Sequence, residues 1–361
     1  MRGTTTVTRS VWAWVRVLGG AAIIALLVWR LGTGAFLDGL RVIDGGTLLA
    51  AFGIGVATTV FSAWRWCLVA RGMGLRLRFG AAIADYYKAL FLNAALPGGV
   101  LGDVDRAVQH GRDEGDVGRG VRAVVLERTA GQIVLVAVGI AVLMTVPSPV
   151  LSQLQTHGPV VAAVAGAVAL AGLIVLAACR RLRQGSSRAA SAARTGLGEI
   201  RVGLLARRNW PGIVLASTIV LAGHLATFMV AARAAGSSAS LLRLAPLMLL
   251  ALLAMSLPLN IGGWGPREGV TAWAFAAAGM SATQGLTIAV VYGLLAFVAA
   301  MPGAAVLAAR ALRKARLAAA ARRIATAEFA PVLPQITPSQ VTAEPVVISA
   351  QRPRVLAHSG A

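Results

Sequence analysis

What most constrains this chain is a series of apolar runs, each close to the length that crosses a bilayer. A helix rising 1.5 Å per residue needs about 20 mostly apolar residues to span the hydrocarbon core. Runs of that kind fall at residues 11–29, 47–69, 129–146, 160–178, 212–232 and 285–309, and a borderline one at 244–257. Two shorter stretches, 81–96 and 269–280, adjoin Pro/Gly clusters. Composition agrees: 57% of the 361 residues are hydrophobic and 13% are charged, about half the charged share of a soluble protein. The expectation is an all-α polytopic membrane protein with about seven or eight transmembrane helices. A disordered chain and a basic nucleic-acid-binding domain are excluded, so no nucleic-acid partner is expected.

The net charge of +21 is explained by where it lies. Basic residues set membrane orientation when they occupy short loops. Arg2, Arg9 and Arg16 lead the chain, and Arg71, Arg76 and Arg78 follow the second run. Between 180 and 208 stand eight Arg against the single acid Glu199. After the last run come Arg310, Arg313, Lys314, Arg316, Arg322 and Arg323. The alternate connections, 147–159 and 236–242, carry no charge. A multi-pass plasma-membrane protein with both termini cytoplasmic follows. The first run, with its basic flank and no A-x-A site, reads as a signal anchor. Cys67 and Cys179 fall at cytoplasmic ends of runs and read as small buried apolar residues, not a disulfide. Residues 1–310 are expected to form the membrane domain. Residues 311–361 read as a basic, then disordered cytoplasmic tail, the change coming at Pro331.

Catalytic constellations are scarce. His110, His157, His224 and His358 have no metal-ligand spacing, and neither Lys88 nor Lys314 sits in a Walker A loop. No cofactor or metal is expected, and no G-x-S-x-G elbow occurs. His224, inside a run, reads first as an interhelical hydrogen-bonder and second as a proton or substrate site. Arg65, within Trp64-Arg65-Trp66, reads as a snorkelling anchor in an aromatic belt.

Two regions resemble each other. The first runs from Asn93 through Leu96-Pro97-Gly98-Gly99 to Gly102-Asp103-Val104-Asp105-Arg106. The second reads Leu257-Pro258-Leu259-Asn260-Ile261-Gly262-Gly263-Trp264-Gly265-Pro266-Arg267-Glu268-Gly269. Proline lacks the backbone donor and glycine tolerates unusual dihedrals, so a helix must break at each. The break is assigned to Pro97, Gly98, Gly99 and Gly102 in the first and to Pro258, Gly262, Gly263 and Gly265 in the second. Broken backbone at membrane depth survives only where it is buried in protein or lines an aqueous cavity, and paired interruptions point to a transporter site. If the first segment dips in from the cytoplasm, loop charge makes the second dip from the opposite face. The result is two re-entrant segments in an inverted repeat; plain Pro/Gly kinks are the alternative.

Six of the 13 acids lie between Asp103 and Glu127, with five Arg among and beside them. Charges at such depth cost on the order of 3 kcal/mol each unless paired or hydrated. Arg106, Arg128 and Arg267 could grip an anionic head group, with Asn93 and Asn260 adding hydrogen bonds at the breaks. Alternatively they are structural partners of Asp103, Glu127 and Glu268, acids that could also exchange protons. The residues leave both open.

Asn-x-x-x-Pro-Gly-x-x-x-Gly-Asp-x-x-Arg from Asn93 to Arg106, the Glu-Arg of Leu126-Glu127-Arg128, and Pro-x-x-x-Gly-Gly-x-Gly-x-Arg-Glu-Gly from Pro258 to Gly269 resemble the transmembrane-region family of lysylphosphatidylglycerol synthases, also described as flippase-like. The resemblance covers roughly residues 11–310 and implies a membrane domain that moves lipids between leaflets. The two-part synthases add a soluble aminoacyl-transfer domain, whereas here a short tail follows the motifs, so lysyl transfer is not expected. The leading reading is translocation of an anionic phospholipid or polyprenyl-phosphate-linked lipid, downhill or ion-coupled. The alternatives are a membrane transferase acting on a lipid carrier, with Asp103 or Glu127 as base, and a non-catalytic partner of a lipid-modifying enzyme.

Overall fold

The computed structural model describes residues 34–96, 99–146, 198, 202–204, 206–256 and 264–328. By its contacts the chain divides into two units, Met1–Arg310 and Ala311–Ala361. The described part of the first unit is helical: α1 (Gly34–Arg41), α2 (Gly45–Gly72), α3 (Phe79–Ala95), α4 (Leu101–Asp113), α5 (Val117–Thr145), α6 (Trp210–Ala234), α7 (Leu241–Met255), α8 (Pro266–Ala277), α9 (Ala282–Ala300) and the start of α10 (Pro302–Glu328).

Local chemistry starts these helices where they start. Asp44 caps α2 by accepting from Thr47 N at 2.7 Å, Asp116 caps α5 by accepting from Arg119 N at 2.8 Å, and Ser240 and Ser281 cap α7 and α9. The same Thr47 bond holds the Asp44 carboxyl below its ordinary value. Pro211 opens α6, where its missing N–H costs nothing.

Among the described residues four helical stretches are long and apolar enough to cross a membrane: Gly45–Gly72, Val117–Thr145, Trp210–Ala234 and one within Ala282–Ala321. Their outer faces carry exposed Leu49, Phe52, Val56, Ile133, Val136, Ile140 and Met144. In water such a surface would be an aggregation hazard; against lipid it needs no partner. The chain is an all-α polytopic membrane protein. The sequence runs 11–29 and 160–178 lie outside the described residues, as does everything from residue 329 on.

The borderline run 244–257 needs correcting. It is not a span of its own but one arm of a helical hairpin. α7 and α8 pack side by side, and Arg243 at the start of α7 donates to the Ala278 carbonyl just past the end of α8 at 3.3 Å. The two arms therefore run antiparallel. The short runs 81–96 and 269–280 are likewise arms. Asn93 on α3 meets Gly102 and Asp103 on α4, while Lys88, further from the turn, meets Asp105 and Gln109. At 13 to 17 residues, α3 and α4 are about 20–25 Å long, too short to cross singly.

Each hairpin sits between two long helices, so the order long helix, hairpin, long helix occurs twice: α2, α3–α4, α5 and then α6, α7–α8, α9. The pairings repeat with it. α4 packs on α5 and α8 on α9; α2 on α3 and α6 on α7; α3 on α9 and α7 on α5; α2 on α9 and α6 on α5. At the centre α2 and α6 pack antiparallel, since Gly72 abuts Asn209, Leu68 abuts Gly212, Arg65 meets Ser217 and Thr58 abuts Gly223. Swapping the halves across an antiparallel pair inverts one relative to the other. This is the arrangement of an inverted repeat.

Candidate functional site

The two turns that the motifs mark are the starting points. In the first, Gly99 takes φ +60°, a left-handed value open to glycine, and α4 begins two residues later. Pro97 and Gly98 lie outside the described residues. Gly102 is not in the break, as the sequence reading had it. It lies in the first turn of α4, where a Cβ would collide with the Ala89 backbone, so it sets how closely the two arms approach. The Gly102 N–H donates to Asn93 Oδ1 at 2.7 Å, and Asn93 Nδ2 donates to Asp103 at 3.1 Å. Asn93 is thus spent on tying the tip together.

Around that tip a buried ion network forms. Glu127, fully buried on α5, accepts from Arg65 Nε at 2.9 Å and Nη2 at 2.5 Å through one oxygen, and from Arg106 Nη2 at 2.7 Å through the other. Tyr86 donates to the same carboxylate at 3.2 Å. Asp103 Oδ1 accepts from Arg106 Nε at 2.9 Å and from Arg128 Nη2 at 2.8 Å. Arg65 also donates to Ser217 on α6 at 3.0 Å, and Gly131 on α5 leaves the space its guanidinium occupies. Arg106 lies over Trp66 and Tyr86, with Cζ 4.7 and 4.4 Å from the ring centroids. Counting Arg65, Arg106 and Arg128 against Asp103 and Glu127, three minus two leaves a surplus of one positive charge.

The sequence reading missed Arg65. It does not snorkel: it is 4% exposed and holds Glu127. An arginine within a run otherwise fit to span, with an unpaired-looking Glu127 elsewhere, was the available signal. Arg128 differs from its neighbours in being open, its side chain 40% exposed, so one face of the network reaches the surface. Among the described residues four buried polar side-chain atoms have no hydrogen-bond partner, namely Trp66 Nε1, Arg106 Nη1, His110 Nε2 and Arg128 Nε. Two belong to this network, and the other two, on Trp66 and His110, adjoin it, with those rings edge to face at 5.5 Å. Burial holds the His110 imidazole below its ordinary value, so it is neutral near pH 7.

The second turn is built differently. Asn260, Pro258, Gly262 and Gly263 lie outside the described residues. Gly265 takes φ +113° and caps α8, where its N–H donates to Glu268 Oε2 at 2.7 Å. Glu268 also accepts from Arg267 through its other oxygen, with both side chains enclosed. Arg267 lies between Trp264 and Tyr292, 5.1 and 5.2 Å from their centroids, and Gly293 on α9 leaves room for it. Tyr292 Oη meets His224 Nδ1 at 3.0 Å. His224 is therefore an interhelical hydrogen-bonder joining α6 to α9, as first read.

A third set closes the base of the first hairpin and ties it to α10. Buried Lys88 pairs with Asp105 and donates to Gln109, each at 2.5 Å, and Arg310 reaches Asp85 at 2.6 Å. None of the described His, Cys, Asp and Glu residues form a group able to hold a metal ion.

A membrane helix bundle with inverted hairpins and paired intramembrane charges is the class that fold and site define. Within it, the chain belongs to the family described as Lysylphosphatidylglycerol synthase TM region, which matches residues 13–303. No curated protein matches the sequence. The family places the chain among membrane proteins of lipid metabolism or translocation.

Proposed function

We propose that this protein translocates an anionic lipid or a lipid-linked intermediate between leaflets of the plasma membrane, with both termini cytoplasmic. The observation that carries the reading is the surplus of positive charge at the first hairpin, with spare N–H groups on Arg106 and Arg128 and Arg128 opening to the surface. A phosphate beside the exposed part of Arg128 would complete that charge balance, and it would accept from the enclosed Arg106 Nη1 and Arg128 Nε when the network opens. Asp103 and Glu127 hold the arginines in place, so the head group would meet preoriented donors. A site on one of two inverted hairpins suits alternating access from the two faces of the membrane.

The second hairpin supports a different role for Arg267. Its guanidinium is committed to Glu268 and two aromatic rings, so it shapes the tip and contacts substrate only if that pair opens. A scaffold for a lipid-modifying enzyme is the second reading, and the full internal pairing of Arg267 is what favours it there.

The test is leaflet exchange of labelled phosphatidylglycerol, phosphatidylethanolamine and a polyprenyl phosphate in proteoliposomes. Wild-type protein is expected to exchange an anionic lipid, and Arg128→Gln, correctly folded, to exchange it at least about tenfold more slowly. No exchange by the wild type, with and without a proton gradient, would turn the reading to the scaffold.

A further inference from the structure

Arg71, Arg76 and Arg78 were explained above by orientation alone, yet orientation requires only that they be on one side. Their placement is more specific. α2 ends in a tight C-terminal turn in which Leu75 N–H donates to the Ala70 carbonyl at 2.9 Å and Gly74 N–H to Arg71 at 3.0 Å, with Gly74 at φ +76°. This pattern reverses the chain and turns the residue after glycine back against the helix. Leu75 is accordingly buried, while Cys67 donates weakly to the Leu77 carbonyl at 3.9 Å. The three arginines then line one open cavity of about 240 Å³, together with Cys67, Leu75 and Leu77 among the described residues.

No acid among the described residues lines this cavity. Among the described residues Arg71, Arg76 and Arg78 are exposed and have no ion pair, as is also true of arginines such as Arg112 and Arg313; what sets the three apart is that they share one cavity. Three unpaired guanidinium groups above an apolar floor match a phosphate attached to an apolar body. On the proposed orientation the cavity opens at the cytoplasmic membrane surface, where anionic head groups lie. We infer that this cavity binds a phosphate-bearing head group of the cytoplasmic leaflet, as a site separate from the hairpin network. It rests on the proposed orientation but not on translocation, and binding and exchange are measured separately.

The experiment is native mass spectrometry of the full chain released from detergent and titrated with phosphatidylglycerol, phosphatidylcholine or inorganic phosphate. The proteins compared are the wild type, R71Q/R76Q/R78Q, and R313Q/K314Q/R316Q, which removes the same charge elsewhere. The cavity triple is expected to lose about tenfold or more of its affinity for phosphatidylglycerol, with phosphatidylcholine binding and thermal unfolding unchanged, while the control triple stays within about twofold. Competition by millimolar inorganic phosphate would keep the site and assign it to a soluble phosphate; no competition would assign it to lipid. Equal losses in both triples, or no preference of the wild type for phosphatidylglycerol, would overturn the inference. A single arginine, R76Q, serves as the milder variant should the triple fail to fold.

Discussion

The two hairpins share a backbone device and differ in what they do with charge. At the first, three arginines face two acids, two of the arginines keep unbonded N–H groups, and one opens to the surface. At the second, one arginine and one glutamate satisfy each other inside a box of Trp264 and Tyr292. A closed pair is complete and has little to offer a ligand, whereas a network with surplus charge is stabilised further by an anion. On the proposed function the pseudo-symmetry of the fold does not extend to substrate contact: the first hairpin is the candidate for that contact and the second for holding shape.

The largest way to break this comparison is to remove the acid on each side. Glu127→Ala leaves Arg65 and Arg106 buried without their shared partner, and is expected to destabilise the protein by about 3–5 kcal/mol. Glu268→Ala strands one arginine and also uncaps α8, and should cost less. Thermal unfolding in detergent, followed by tryptophan fluorescence, compares them; a larger loss for Glu268→Ala would contradict the view that the first network is the more heavily shared.

Glycine substitutions sharpen the comparison at the next level. In Gly102→Ala the new Cβ meets rigid backbone at Ala89, while in Gly293→Ala it meets the flexible end of Arg267 and the Trp264 ring. Overpacking costs about 1–3 kcal/mol, with Gly102→Ala expected at the top of that range and Gly293→Ala at the bottom. Reversal of that order would mean that the arms separate easily.

Arg128→Gln should alter stability by less than about 1 kcal/mol, because its pair is half-open to the surroundings. The roughly tenfold loss of lipid exchange proposed for it then separates function from folding. Arg267→Gln should show the opposite pattern, a loss of stability exceeding its effect on exchange per folded molecule. Matching behaviour of the two would erase the distinction drawn between the hairpins.

The smallest expected effect concerns acid. Because burial lowers the His110 value below the ordinary 6.5, the folded protein binds fewer protons there than the unfolded chain. Its contribution is fully present above about pH 6.5 and declines as the pH falls below that. Unfolding temperature measured at pH 7.5 and 5.5 should drop at the lower pH, and drop less in His110→Gln. An identical drop in both proteins would remove His110 from the account.

Much of this was legible in the residues. Apolar runs of span length and Leu-Pro followed by paired glycines are local signals, so helices and breaks could be placed from short windows. Pairing is not local. Arg65 and Glu127 stand 62 positions apart, and Arg65 and Ser217 are 152 apart, so nothing near Arg65 separates a snorkelling anchor from the holder of a buried acid. The same limit made 244–257 look like a weak span, because a mostly apolar helix of 15 residues, Leu241–Met255, fits either a short crossing or one arm of a hairpin. By itself the sequence determined that the chain lives in a membrane, where its helices break and which motifs carry charge, since hydropathy and backbone chemistry act within a few residues. Only the tertiary structure decided which charges meet, which remain open and which helices pair across the inverted halves that loop charge had suggested, because those follow from packing between helices distant in the chain.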